Sequence, residues 1–177
     1  MDTLGEALGP RLVAFGIDAA IVGTLWATVW FAGGAVRASA GGGMALLDGG
    51  VSAVGAAVWL LTWLAVVVLV ATYFAAGHAV AGQSLGKRMT DVVVVGTDGE
   101  PCDWRAAGVR TAVLLAPAPV VAALDLLLGF QGAVLGAVLV LAWLLVELVA
   151  LVVDDDHRRV GDRLADTVVV AESLASV

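Results

Sequence analysis

An α-helical, polytopic membrane protein of about four spans with a small β element outside the membrane is the fold class this sequence predicts, on three observations. Of its 177 residues 61% are hydrophobic, against about 45 to 50% in a soluble domain, and the mean hydropathy is +1.01. A chain of this size has no interior large enough to hide that excess, so part of its solvent is lipid. Charged residues make up only 14%, beside 22 glycines and 6 tryptophans, a balance that suits close-packed helices with aromatic anchors at membrane interfaces. The 9 basic and 16 acidic side chains leave a formal net charge of −7, which argues against nucleic acid as a partner. The single cysteine, Cys102, excludes an internal disulfide and a Cys-rich metal site.

Crossing ~30 Å of hydrocarbon takes about 20 helical residues, and four stretches qualify. Leu12 to Val36 is interrupted only by Asp18, and Val51 to Ala76 carries no charge. Thr111 to Val153 carries Asp125 and Glu147 and is too long for one crossing. A break at Gly129-Phe130-Gln131-Gly132 makes it a tight helical hairpin, with spans near Thr111 to Leu128 and Ala133 to Val153. Pro117 and Pro119 weaken the third span, because each removes a backbone donor and bends a helix. In the polar loop from Gly77 to Arg110, Asp91 to Gly96 reads as a strand and Thr97 to Pro101 as the turn after it. Thr167 to Val170, in the tail from Asp154 to Val177, is the comparable β-branched run. A small sheet pairing the two fastens the tail beneath the helices, provided something else packs against it. The chain reads as one membrane domain.

Met1 to Glu6 is acidic, unlike the basic head of a cleaved signal, and the first span is too long for a signal core. Basic residues gather on cytoplasmic loops. Lys87, Arg88, Arg105 and Arg110 lie between spans two and three, Arg158, Arg159 and Arg163 follow span four, and Arg11 precedes span one. Only Arg37 falls on the other side. The expectation is a multi-pass protein of the cell membrane with both termini and the middle loop cytoplasmic.

Chemistry is expected from polar groups at bilayer depth, where a carboxylate costs at least ~2.5 to 3.5 kcal/mol on insertion scales. Asp18, Asp125 and Glu147 qualify. At ~1.5 Å per residue, Asp18 lies about 10 Å inside the cytoplasmic end of span one and Glu147 about 9 Å inside that of span four, so the two can share a depth. Asp125 sits near the far end of its helix, where it can simply reach the external interface. Arg11 and Asp18 fall on nearly one helical face, but ~10 Å apart along the axis they do not pair tightly with each other. Asp18 therefore needs a partner on another helix, on the loop or in a water-filled pocket. That makes it either a packing pair or an ion or proton site.

Three motifs in order carry a family resemblance: Arg11-Leu12-Val13-Ala14-Phe15-Gly16-Ile17-Asp18, then Gly82-Gln83-Ser84-Leu85-Gly86-Lys87-Arg88, then Asp162-Arg163-Leu164-Ala165-Asp166-Thr167-Val168-Val169-Val170. Together they resemble the RDD family of membrane proteins over most of the chain from Arg11 to Val170. The resemblance places the family's arginine on Arg11 and its two aspartates on Asp18 and Asp162. It implies a transport role for a small solute or cation, with cation-proton exchange as the suggested form, and supplies no substrate. The chain departs from the family pattern at Gly161, where members often carry histidine, and at Asp155 and Asp156, where they carry basic residues. His157 lies four residues before Gly161.

Other patterns carry less. Gly82 to Arg88 misses the phosphate-loop spacing by one residue and has Arg88 where Ser or Thr is needed. Its glycines allow a tight turn under the membrane, with Lys87 and Arg88 facing lipid phosphate or a carboxylate of the bundle. Asp154-Asp155-Asp156-His157 offers hard ligands, but a solvated run or a bridge to Arg158 and Arg159 is the default. Gly132 and Gly136, and Ala19, Gly23 and Ala27, form small-residue stripes that let helices approach within one chain or between two. Trp26, Trp30, Trp59, Trp63 and Tyr73 read as packing or interface anchors.

The expectation is thus a transporter, or a transport accessory, of a small solute or cation coupled to protons. Asp18 is its exchanging acid, Glu147 a second acid, Arg11 the electrostatic balance and Asp162 the group that docks the tail. Gly82, Gln83, Gly86 and Lys87 form the motif loop. No cofactor or metal motif is present, and no nucleophile-base-oxyanion set marks an enzyme. The rival is a non-transporting scaffold or regulatory subunit. In either case the partners are the bilayer and a second copy or another membrane protein, because four helices make a small transporter alone.

Overall fold

The computed structural model describes residues 8–39 and 52–175. Met1 to Glu6, Val51 and the last two tail residues, Ser176 and Val177, lie outside the described residues. Among the described residues, four helical segments are long and apolar enough to cross a membrane: Leu8–Val36, Ala53–Ala81, Trp104–Leu128 and Phe130–Val153. Large apolar side chains along them stand exposed, among them Leu60, Leu61, Leu64 and Val68 on the second and Leu141 and Leu145 on the fourth. Such a surface is tolerable only in a nonpolar solvent.

Helix α1 (Leu8–Ser39) carries Pro10 in its first turn, where the missing N–H has no intrahelical role. Helix α2 (Ala53–Ala81) begins at Ser52, whose hydroxyl accepts from Gly55 N at 3.0 Å, a serine N-cap. It runs five residues beyond the expected Ala76 and takes in His78. Gly82 ends it at φ +65, with its N–H on the His78 carbonyl at 2.9 Å. Only glycine enters this left-handed conformation without strain. The turn predicted at Gly82 is therefore present, and it leads into the short helix α3 (Leu85–Arg88) and strand β1 (Val92–Gly96).

The third span differs from its expected bounds. It starts at Trp104 rather than Thr111 and is built of α4 (Trp104–Leu114) and α5 (Ala118–Leu128). Asp103 caps α4 by accepting from Ala106 N at 2.7 Å. Arg105 and Arg110 made this stretch look like loop, although Arg110 is turned inward and buried. The gap between the helices ends at Pro117, which lacks a backbone donor, and Pro119 sits in the first turn of α5, where a missing N–H has no intrahelical role. Gly129, at φ +57, then turns the chain into α6 (Phe130–Val153). After α6 follow α7 (Val160–Leu164), strand β2 (Thr167–Ala171) and α8 (Glu172–Ala175).

The chain clusters into two units. One takes α1 through Val22, Val70–Leu115 and the residues from Val146 onward, and the other takes Gly23–Leu69 and Ala116–Leu145. In the first, β1 and β2 pair antiparallel with Val94 opposite Val169 and Gly96 opposite Thr167. The valine runs alternate faces, so Val92, Val94, Thr167 and Val169 point inward and are almost fully buried. The valines pack on Ala14, Cys102 and Ala107, the support two short strands require. Burial raises the pKa of the Cys102 thiol, so this residue serves the core. In the second unit, the hairpin closes through glycine: a Cβ on Gly132 would meet the Leu124 carbonyl oxygen, and one on Gly136 would lie 2.6 Å from Val121. This small-residue stripe packs within the chain.

Candidate functional site

The polar interior of the first unit starts on one face of α1. Arg11, Ala14 and Asp18, spaced three and four residues apart, are buried, whereas Leu12, Val13 and Phe15 are exposed. That spacing follows the helical repeat and directs both charges inward. They do not pair with each other, as their axial separation predicts.

Asp18 reaches the motif loop and α2. Its Oδ1 accepts from the Tyr73 hydroxyl at 2.6 Å and from Gly86 N at 2.8 Å, and its Oδ2 accepts from the Ser84 hydroxyl. Three donors on one buried carboxylate make it an anchor for the segment around α3. A Cβ on Gly86 would meet the Ala14 carbonyl oxygen and the Asp18 carboxylate, so close approach, more than turn geometry, requires glycine there. Gly86→Ala is expected to destabilise the protein by about 1–3 kcal/mol. An unchanged unfolding transition in mild detergent would refute that contact.

Contrary to the expectation that it faces lipid phosphate or a carboxylate, Lys87 is turned inward and has no ion pair among the described residues. It is buried, with Nζ 2.9 Å from His78 Nε2 and 3.5 Å from Ser84 Oγ. Arg88 is exposed. Gln83 instead ties the loop to the tail, donating from Nε2 to Glu172 Oε2 at 3.1 Å.

The second aspartate of the motif set gathers arginines. Asp162, on α7, is fully buried and ion-pairs with Arg11 at 3.2 Å, Arg110 at 2.8 Å and Arg159 at 3.7 Å. It also accepts from Arg159 N at 3.2 Å. Burial alone pushes its carboxyl up, but Arg110, Arg159 and Arg11 together with that N–H outweigh it and hold it at about 2. Arg110 Nη1 also donates to the Thr167 hydroxyl, linking the cluster to β2. The tail is thus docked through Asp162, with Arg11 as one of three counter-charges.

Glu147 is buried on α6; the Val160 backbone N–H lies against its carboxylate, and among the described residues its Oε1 has no hydrogen-bond partner. Its charged neighbours are Arg159, Asp162 and Arg110.

Asp125 does not reach an external interface. It is buried in the second unit, where its Oδ2 accepts from Trp59 Nε1 at 2.9 Å and Trp63 Nε1 at 3.2 Å. Trp59 and Trp63, four residues apart on α2, therefore act as donors as well as packing groups. The acidic run does bridge to Arg158, through Asp154 at 3.4 Å and Asp156 at 3.2 Å, and Asp154 also meets Arg163 at 2.7 Å. Arg159 is taken by Asp162 instead. His157 places Nδ1 3.2 Å from the Leu151 carbonyl oxygen.

Sequence reasoning missed Tyr73, His78, Ser84, Arg110 and Arg159. Tyr73 and His78 carried no shared signal, since residues five apart on α2 stand well apart around the helix axis. The arginines carried none, because a basic residue beside a span is ordinarily solvated. No curated protein and no solved structure matches the chain. The model of the RDD family matches residues 6–166, a range that includes Arg11, Asp18 and Asp162 with their partners. The chain belongs to the RDD family.

Proposed function

We propose that the protein is a membrane transporter that exchanges a small cation for protons, with Glu147 as the exchanging acid. The observation that carries this reading is the Glu147 carboxylate, buried in a membrane-length helix with one oxygen, Oε1, that no donor among the described residues satisfies. Buried acceptors are normally paired, and a carboxylate left open in a span marks an ion or proton pathway. Asp18, already filled by three donors, holds the motif loop closed and governs access. The Asp162 cluster fixes the tail. We also propose a location in the cell membrane with termini and sheet on the cytoplasmic side, supported by the basic residues at that end of the spans.

Purified protein reconstituted in vesicles loaded with sodium or potassium and a pH dye tests the assignment. Glu147→Gln is expected to slow cation-driven proton movement roughly 100-fold. Full movement in that variant would sink the role of Glu147. Absence of movement with the unaltered protein, for every ion tried, would sink the transport reading itself.

A scaffold role is the second reading, favoured by one feature of α1: Ala19 is exposed and a Cβ on Gly23 would touch nothing within 4 Å. Small residues on an open face suit a neighbouring helix. A stoichiometric foreign subunit in mild detergent, without ion flux, would favour that reading over exchange.

A further inference from the structure

Lys87 and His78 form a contact that neither the acid anchor nor the arginine cluster explains. Both side chains are buried, and the Nζ to Nε2 distance is 2.9 Å. Two basic groups at that distance cannot both be charged without strong repulsion. Among the described residues no carboxylate lies within ion-pair distance of Lys87. Its remaining polar contact is Ser84 Oγ, whose proton already goes to Asp18. The charged groups that act on it are Arg159 and Arg110, which oppose a positive charge, and Asp18 and Asp162, which favour one. Tyr73, from α2, donates to Asp18 and packs edge-on against Phe74, whose ring stacks on His78. On the far side of the pair, His78 Nδ1 is buried without a hydrogen-bond partner among the described residues.

We propose that Lys87 and His78 together form a binding site for one proton, joined through Ser84 to the Asp18 anchor. In the loaded state an ammonium donates to Nε2 of a neutral imidazole. Release leaves a neutral amine and a neutral imidazole, so one proton moves and no other bond changes. Burial, reinforced by Arg159 and Arg110, holds the Lys87 amine well below the usual lysine value, which makes release accessible without titrating the arginines. The site gives the exchange proposed above a second proton-carrying group and rests on that reading for its role in transport.

Lys87 is the only lysine and His78 one of two histidines, so selective labelling isolates them. In His157→Asn protein, the Lys87 ε-carbon and His78 Nε2 signals are expected to change with one common midpoint as pH is varied. Separate midpoints, or a Lys87 midpoint at the free-lysine value, would overturn the shared site. His78→Leu is expected to lower the Lys87 midpoint by about one to two pH units, because a charged hydrogen bond is lost. His78→Gln, which keeps an acceptor, should hold it near the original value. If His78→Leu does not fold, the common midpoint still decides. In vesicles, Lys87→Arg keeps the charge but cannot release it, and proton movement should fall roughly 100-fold. Undiminished movement would remove Lys87 from the path. A shared midpoint in a protein that moves no protons upholds the site and overturns the transport reading.

Discussion

Asp162→Ala is expected to cost about 3–5 kcal/mol of stability, the usual penalty for leaving buried charge unpaired. The side chain is fully buried and meets three guanidiniums, from Arg11, Arg110 and Arg159. Arg110 is the most exposed to loss, because its Nε and Nη2 already lack hydrogen-bond partners among the described residues. Asp162→Asn should cost less, since the amide oxygen can still accept from Arg159 N. The linkage argument gives its size. The folded carboxyl is held at about 2 against an ordinary 3.8, so its charge contributes about 2 kcal/mol at neutral pH. A depressed acid contributes fully above its unfolded value and loses that contribution as pH falls through its folded one. The difference between the native protein and Asp162→Asn should therefore be constant above about pH 5, shrink as pH falls through about 4 to 2, and vanish only below the folded value of about 2. Thermal unfolding in mild detergent across that range measures it. A pH-independent difference would mean that packing, and not charge, makes Asp162 necessary. Arg110→Leu combined with Asp162→Leu should recover part of the loss, because a buried ion pair replaced as a unit by apolar groups is often neutral.

The same cluster shows what the sequence made legible. Four spans follow from length and hydropathy, because lipid imposes one rule on every residue of a crossing. The β1 and β2 pairing follows from two valine runs with one burial pattern. Arg11, Asp18 and Asp162 were visible as motif residues, and their partial separation into two sites followed from the axial distance between Arg11 and Asp18. Their partners were not legible. Whether Arg110 is solvated or buried depends on where α4 begins, and that is decided by the Asp103 cap and by packing on the sheet. Asp125 illustrates the same limit: its place near a helix end suggested an interface, whereas two indole donors from another helix keep it inside. A chain of single residues brought together from α1, α2, α4, α6 and α7 has no local signature.

Asp18→Ala is the second large expected effect, and it separates anchoring from ion exchange. The substitution removes an acceptor from Tyr73, Ser84 and Gly86 at once. Hydrogen bonds to a charged group are worth about 1.5–3 kcal/mol each, but they share one acceptor and do not add, so a total of about 3–5 kcal/mol is expected. The loss should be local. Gly86 N has its acceptor in Asp18, so amide exchange across 82–90 should accelerate by roughly 100-fold or more if about 3 kcal/mol of protection disappears. Strand β1 should follow, because Val94 N is bonded to the Gly82 carbonyl at 2.8 Å. Asp18→Asn keeps one carbonyl oxygen and should fall between the two, since the Ser84 hydroxyl can rotate to accept from the amide. Mass-resolved hydrogen exchange in detergent orders the three proteins. Unchanged protection of 82–90 in Asp18→Ala would show that the loop is held by other contacts and return Asp18 to the role of an exchanging acid. Accelerated exchange with intact protection of α6 would make Asp18 the latch of the motif loop, because only a local anchor frees one segment while the membrane-length helices stay closed.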